Sequence, residues 1–221
     1  MTIKVAVLTA IYDGYDVLRP VLPQNGDFDI EWICVTDTPS VVNEPQGWNI
    51  RFESRPGVHP NLAAKKPKMT PEVYTEASHI IWLDASFQIR NADFVSEALA
   101  YADPIAQFIH PDRTCLYDEA NISAGIHFKY GGHPFTEQTG KYKQWGHPKR
   151  WGLWATGVIA RKMDNQLECF GRAWLQECEL YSFQDQVSQP AVLRQFGLYP
   201  TSFPGTPYDN PWLRFKGSGR H

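Results

Sequence analysis

Apolar residues run unbroken from Ile80 to Leu83 and stop at Asp84, inside the stretch His79 to Ile89 (His-Ile-Ile-Trp-Leu-Asp-Ala-Ser-Phe-Gln-Ile). A run without polar alternation predicts a strand covered on both faces, the kind found in parallel sheets. Lys4 to Ala10 and Pro104 to Ile109 carry similar apolar runs, and Asp29 to Thr36 reads as a further strand. Asn49 to Glu53 predicts a short strand, and Trp151 to Arg161 one entered through a glycine turn. Helical spacing appears in Asp93 to Tyr101, where Phe94, Ala98 and Tyr101 share a face, and in Asn165 to Tyr181 through Leu167, Phe170, Trp174 and Leu175. A further helix starts near Phe183 and runs toward Phe196. Short helices are expected to begin within Val17 to Leu22 and Asn61 to Met69, with Pro20, Pro23 and Pro67 limiting them.

Strands that alternate with helical patterns predict an α/β domain with a nucleotide-binding first half. Ligands of such sheets sit at the C-terminal ends of the strands, where Asp84 stands. The chain has neither G-x-G-x-x-G nor G-x-x-x-x-G-K-[ST], so a dinucleotide fingerprint and a P-loop are both unsupported. Asp112 to Arg150 is rich in Gly, Pro, His and aromatic residues with weak periodicity, and it is expected to be an irregular binding region.

Composition narrows the classes. The 221 residues are 43% hydrophobic with a net charge of -3, which argues against a protein that grips nucleic acid mainly through its phosphates. Cys34, Cys115, Cys169 and Cys178 form no C-x-x-C pair and read as reduced thiols. No signal-peptide pattern or membrane-length apolar run is present, so a soluble, cytoplasmic protein is expected.

Asp84 and Ser86 can hold a divalent cation (Mn²⁺ or Mg²⁺) against a diphosphate, because hard cations take oxygen ligands and leave positions open for phosphate. The structural alternative is an Asp capping a turn after a core strand. Asp185 is expected near a helix N-terminus, where it either caps the helix or acts on substrate, by activating an acceptor hydroxyl or stabilising a positive sugar centre. Arg113 can grip phosphate, and Glu119 can hold a sugar hydroxyl; a structural pair between them and near His110 is the other reading. Lys65 and Lys68 are candidates for a diphosphate, Tyr12 for stacking on a base and Asp37 for binding it.

Taken together, Ile11-Tyr12-Asp13-Gly14-Tyr15-Asp16, Lys65-x-x-Lys68 ahead of Trp82-Leu83-Asp84-Ala85-Ser86, His110-Pro111-x-Arg113-x-Cys115-x-Tyr117-x-Glu119-Ala120 and Phe183-x-Asp185-Gln186-x-Ser188 resemble the TOD1/MUCI70 glycosyltransferase-like domain. The resemblance spans about Val5 to Leu193. It implies a single α/β domain over residues 1–221 of GT-A type: a Rossmann-type nucleotide-binding sheet with helices on both faces, over about 1–110, and an irregular acceptor-binding half over about 111–221. It implies an enzyme that moves a sugar from a nucleotide-sugar donor to a carbohydrate or other hydroxyl acceptor, with Tyr12 and Asp37 near the base, Lys65 and Lys68 near the diphosphate, Asp84 and Ser86 at the metal position, and Asp185 near the sugar and acceptor. His221 is a further metal ligand on this view, since GT-A enzymes often recruit a C-terminal His. Three other readings stay open. The chain could glycosylate modified DNA bases, with Lys129 to Arg150 as a basic acceptor surface. It could be a non-catalytic nucleotide- or sugar-binding module, given Ser86 in place of a second carboxylate. It could be a nucleotidyltransferase.

Overall fold

The computed structural model describes residues 2–43 and 46–217. Its nine strands are β1 (Ile3–Ile11), β2 (Phe28–Thr36), β3 (Asn49–Phe52), β4 (His79–Leu83), β5 (Phe87–Ile89), β6 (Ile105–Ile109), β7 (Trp154–Lys162), β8 (Thr201–Ser202) and β9 (Leu213–Phe215). Seven form one mixed sheet in the order β3-β2-β1-β4-β7-β6-β8, and β5 pairs with β9 alone. β1 lies between β2 and β4 and is parallel to both, with Val7 opposite Trp32 and Ile81. β7 enters antiparallel between β4 and β6. The expected parallel surroundings of β4 therefore hold on its β1 side and reverse on its β7 side.

The unbroken apolar runs follow from burial on two faces. Val5, Val7, Ile81 and Leu83 point into one core. Ala6, Leu8, Ile80 and Trp82 point into the other. The helices are α1 (Pro39–Asn43), α2 (Pro60–Ala63), α3 (Lys65–Met69), α4 (Phe94–Tyr101), α5 (Leu116–Ala124), α6 (His127–Tyr130), α7 (Phe135–Gln144), α8 (Asn165–Leu180) and α9 (Asp185–Gln195). The first core takes Phe94, Val95 and Ala98 of α4. The second takes Phe170 and Trp174 of α8 and Leu193 of α9. Helices thus cover both faces, as a Rossmann-type sheet requires.

Two expectations fail. Val17 to Leu22 forms no helix. Pro20 and Pro23 remove backbone donors there, and Val21 N–H instead bonds to Gln46 O at 2.9 Å. Asp112 to Arg150 is not irregular: α5, α6 and α7 lie within it. They enclose a third core in which Leu116, Tyr130, Phe135 and Tyr142 meet Phe183 and Val187. The helices are too short for several turns of apolar repeat, which is why the periodicity was weak. The four cysteines are free. No helix among the described residues is long and apolar enough to cross a membrane.

Candidate functional site

β4 ends at Leu83, and the turn Asp84–Ser86 carries the chain into β5, closed by Phe87 N–H on Asp84 O at 2.9 Å. Asp84 is anchored from both sides. Its N–H bonds to Gly157 O at 2.8 Å, and its Oδ1 accepts from Trp82 Nε1 at 2.6 Å. Gly157 on β7 is required by this closeness. A Cβ there would stand 2.8 Å from the Phe87 ring and 3.1 Å from Asp84 Oδ2.

Lys65 and Lys68 project from α3. The buried guanidinium of Arg161 on β7 donates to Lys68 O at 2.6 Å and fixes that helix. Gly171 lets α8 approach it, since a Cβ at 171 would lie 1.9 Å from Met69 O. The two ammonium groups converge on Asp185, the first residue of α9, with Lys65 Nζ at 2.8 Å and Lys68 Nζ at 2.6 Å from its Oδ2. Thr156 Oγ1 donates to the other oxygen at 3.0 Å. Lys68 Nζ is also 3.8 Å from Asp84 Oδ1. One chain of opposite charges therefore links the end of β4 to the start of α9. Burial alone would raise the Asp185 pKa, but Lys65 and then Lys68 outweigh it and hold the carboxyl well below its usual range. Burial would likewise lower the Lys65 pKa, and Asp185 reverses this to a raised value. An anion so fully engaged is a weak proton acceptor.

Two clefts open on this cluster. One, of about 300 Å³, is lined by Tyr12, Tyr15, Asp16 and Asn61 beside the lysines. The other, of about 540 Å³, reaches His110, Arg113, Glu119, Gln184 and Tyr208. Lys65, Lys68, Asp84, Ser86 and Lys129 line both. These sizes suit small-molecule ligands. Tyr12 lines the first cleft and is only 2% exposed, packed as well into the second core. Tyr15, which was not singled out, is 44% exposed and lines both clefts. Asp37 lines neither cleft. Its Oδ1 accepts from Asp13 N–H and its Oδ2 from Arg55 Nε, each at 2.7 Å, so it braces the loop after β1.

In the second cleft Arg113 Nε meets Glu119 Oε2 at 2.5 Å, and Gln184 Nε2 meets Glu119 Oε1 at 2.8 Å. His110 Nδ1 accepts from the N–H groups of Asp112 (3.2 Å) and Arg113 (3.1 Å). Its Nε2 lies 3.3 Å from Arg113 Nη2 and 3.6 Å from Glu119 Oε2. Burial keeps the His110 pKa below its ordinary value. Glu119 is thus an ion-paired residue in the wall of the second cleft. Gln184 had no signal of its own in the sequence beyond its place beside Asp185.

Of the expected metal ligands, Asp84 and Ser86 stand together, and His221 lies outside the described residues. Among the described residues no group of three or more His, Cys, Asp and Glu side chains is arranged to hold a metal ion. Asp84 also faces an ammonium group. Among the described residues, this donor set does not by itself fit a cation held by the protein. The basic stretch Lys129 to Arg150 is partly engaged within the fold: Lys141 pairs with Glu177 at 2.6 Å, and Lys143 lies over the Tyr117 ring.

No family model matches the chain, and no curated protein matches it by sequence. Among solved structures, the chain superposes on an apo structure of WbbM, a bifunctional glycosyltransferase, with a TM-score of 0.55 and 11% identity. The match covers 92% of this chain and 39% of that one, so the chain spans well under half of that protein. At this identity the likeness is one of fold, and the fold is that of a GT-A-like, Rossmann-type α/β domain.

Proposed function

We propose that the chain is a nucleotide-sugar-dependent glycosyltransferase. The observation that carries the reading is the charged wall common to two clefts, with Lys65, Lys68, Asp84 and Lys129 in both. A group transfer between two substrates needs two adjoining sites that meet where the bond is exchanged. On this reading the nucleoside lies in the first cleft beside Tyr15 and Asn61. The diphosphate meets the lysines, whose charge stabilises the leaving group. The acceptor enters the second cleft past Tyr208 and Arg113.

Asp185 then serves through its charge. Held anionic by Lys65 and Lys68, it orients both ammonium groups and favours a positively charged sugar centre over taking a proton itself. The acceptor is a carbohydrate or another hydroxyl-bearing molecule. A panel of nucleotide sugars, assayed for release of nucleoside diphosphate with wild-type protein and with Asp84→Ala, tests the proposal. Release by the wild type that falls at least about tenfold in the variant supports it. Release that is equal in both contradicts the placement of the site.

A further inference from the structure

The cluster between the clefts carries more positive than negative charge. Lys65, Lys68 and Lys129 face Asp84 and Asp185. Lys65 and Lys68 are matched by Asp185, and Lys68 also leans on Asp84. Lys129 differs. Its Nζ lies 5.2 Å from the Tyr130 ring centroid. No carboxylate among the described residues is within ion-pair distance of it. It is the one lysine of the wall whose charge is open to a ligand.

Granting the nucleotide-sugar reading on which this rests, we infer that ammonium groups hold the donor diphosphate, with Lys129 in the leading part and Lys65 and Lys68 beside it, and that donor binding needs no divalent cation. Three observations converge. First, Asp84 Oδ1 already accepts a hydrogen bond from Trp82 and lies 3.8 Å from Lys68 Nζ, so a dication beside it would meet a like charge at short range. Second, the neighbour two residues on is the neutral hydroxyl of Ser86, a poorer ligand for a hard cation than a carboxylate. Third, both oxygens of Asp185 are engaged by Thr156 and the two lysines, which leaves it unable to complete a coordination shell. The work a cation does elsewhere, offsetting diphosphate charge, falls here to groups the chain itself supplies.

Titration calorimetry with uridine, guanosine, adenosine, cytidine and thymidine diphosphates, once in EDTA and once in Mn²⁺ or Mg²⁺, tests this. The expected result is that at least one diphosphate binds in EDTA and that its Kd changes by less than about threefold when the cation is added. Lys129→Ala, on the edge of the clefts, is expected to weaken that binding about tenfold or more in both buffers, and cation is expected not to restore it. The affinity is also expected to fall as salt rises, as for a phosphate held by point charges. Binding that appears only with the cation, or a Lys129→Ala protein that binds as the wild type does, overturns the inference while leaving the nucleotide-sugar reading intact. Absence of binding in either buffer overturns that reading as well.

Discussion

Lys68 Nζ and Asp185 Oδ2 lie 2.6 Å apart, with side chains only 2% and 4% exposed. They come from opposite halves of the chain and close the wall between the two clefts. A buried charge left without its partner is costly, about 3–5 kcal/mol when one member of a pair is removed. Asp185→Ala strands two ammonium groups and is expected to lower unfolding free energy by about that amount. Lys68→Met leaves Asp185 paired with Lys65 and is expected to cost less, about 1–3 kcal/mol. Urea denaturation midpoints check the ranking; a harmless Asp185→Ala contradicts the ion-pair account.

The contact between Lys65 and Asp185 sets a pH dependence. The Asp185 pKa is depressed in the fold from an ordinary value of 3.8, so the stability it contributes is fully present above that value and is lost as pH falls below it. Lys65 is raised above 10.5, so its contribution is present below that value and is lost as pH rises through the folded pKa. Stability measured by denaturant from pH 2 to pH 7 is expected to decline below about pH 4, and Asp185→Asn is expected to flatten that decline. An unchanged slope in the variant would assign the acid sensitivity to other carboxylates.

Gly157 keeps the space beside Asp84. In Gly157→Ala the new methyl meets Phe87 at 2.8 Å and Asp84 Oδ2 at 3.1 Å. Overpacking of this kind costs about 1–3 kcal/mol, and the carboxylate must move with it. The melting temperature is expected to fall modestly, and nucleotide-sugar turnover to fall more steeply than stability explains. Wild-type turnover in this variant would show that the position of Asp84 does not matter.

Arg113 and Glu119 line the second cleft and not the first. Glu119→Gln removes the charge from a contact with Arg113 at 2.5 Å. A hydrogen bond to a charged group contributes about 1.5–3 kcal/mol. The variant is expected to lose about this much stability and to bind nucleoside diphosphate as the wild type does, while transfer to acceptor falls. Calorimetry beside a transfer assay separates these effects; loss of donor binding would place Glu119 in the wrong cleft.

Much of the sheet was legible because its chemistry is local. The runs around Val5 and Ile81 declare buried strands and the stretch around Ile33 a further one, and all three strands formed where expected. Asp84 at the end of β4 was legible for the same reason, and Lys65 and Lys68 do line the clefts beside it. What stayed hidden depends on partners far along the chain. Nothing near Asp185 announces that Lys65, 120 residues earlier, will neutralise it. Nothing near Asp37 announces its contacts with the Arg55 guanidinium and the Asp13 N–H. The helices α5 to α7 were missed because each is short, and the Phe183 and Val187 that complete their core lie outside the segment.

The central claim is that the cluster of Lys65, Lys68 and Asp84 receives a nucleotide sugar. Thermal melting of the intact chain against a panel of nucleotide sugars tests it most directly, because a ligand bound only by the native state raises stability by about 2.7 kcal/mol at a hundred times its Kd. One nucleotide sugar is expected to raise the melting temperature of the wild type and to fail with Lys65→Ala, whose lysine is less deeply buried than Lys68. A panel in which no nucleotide sugar shifts the wild-type melt would contradict the account.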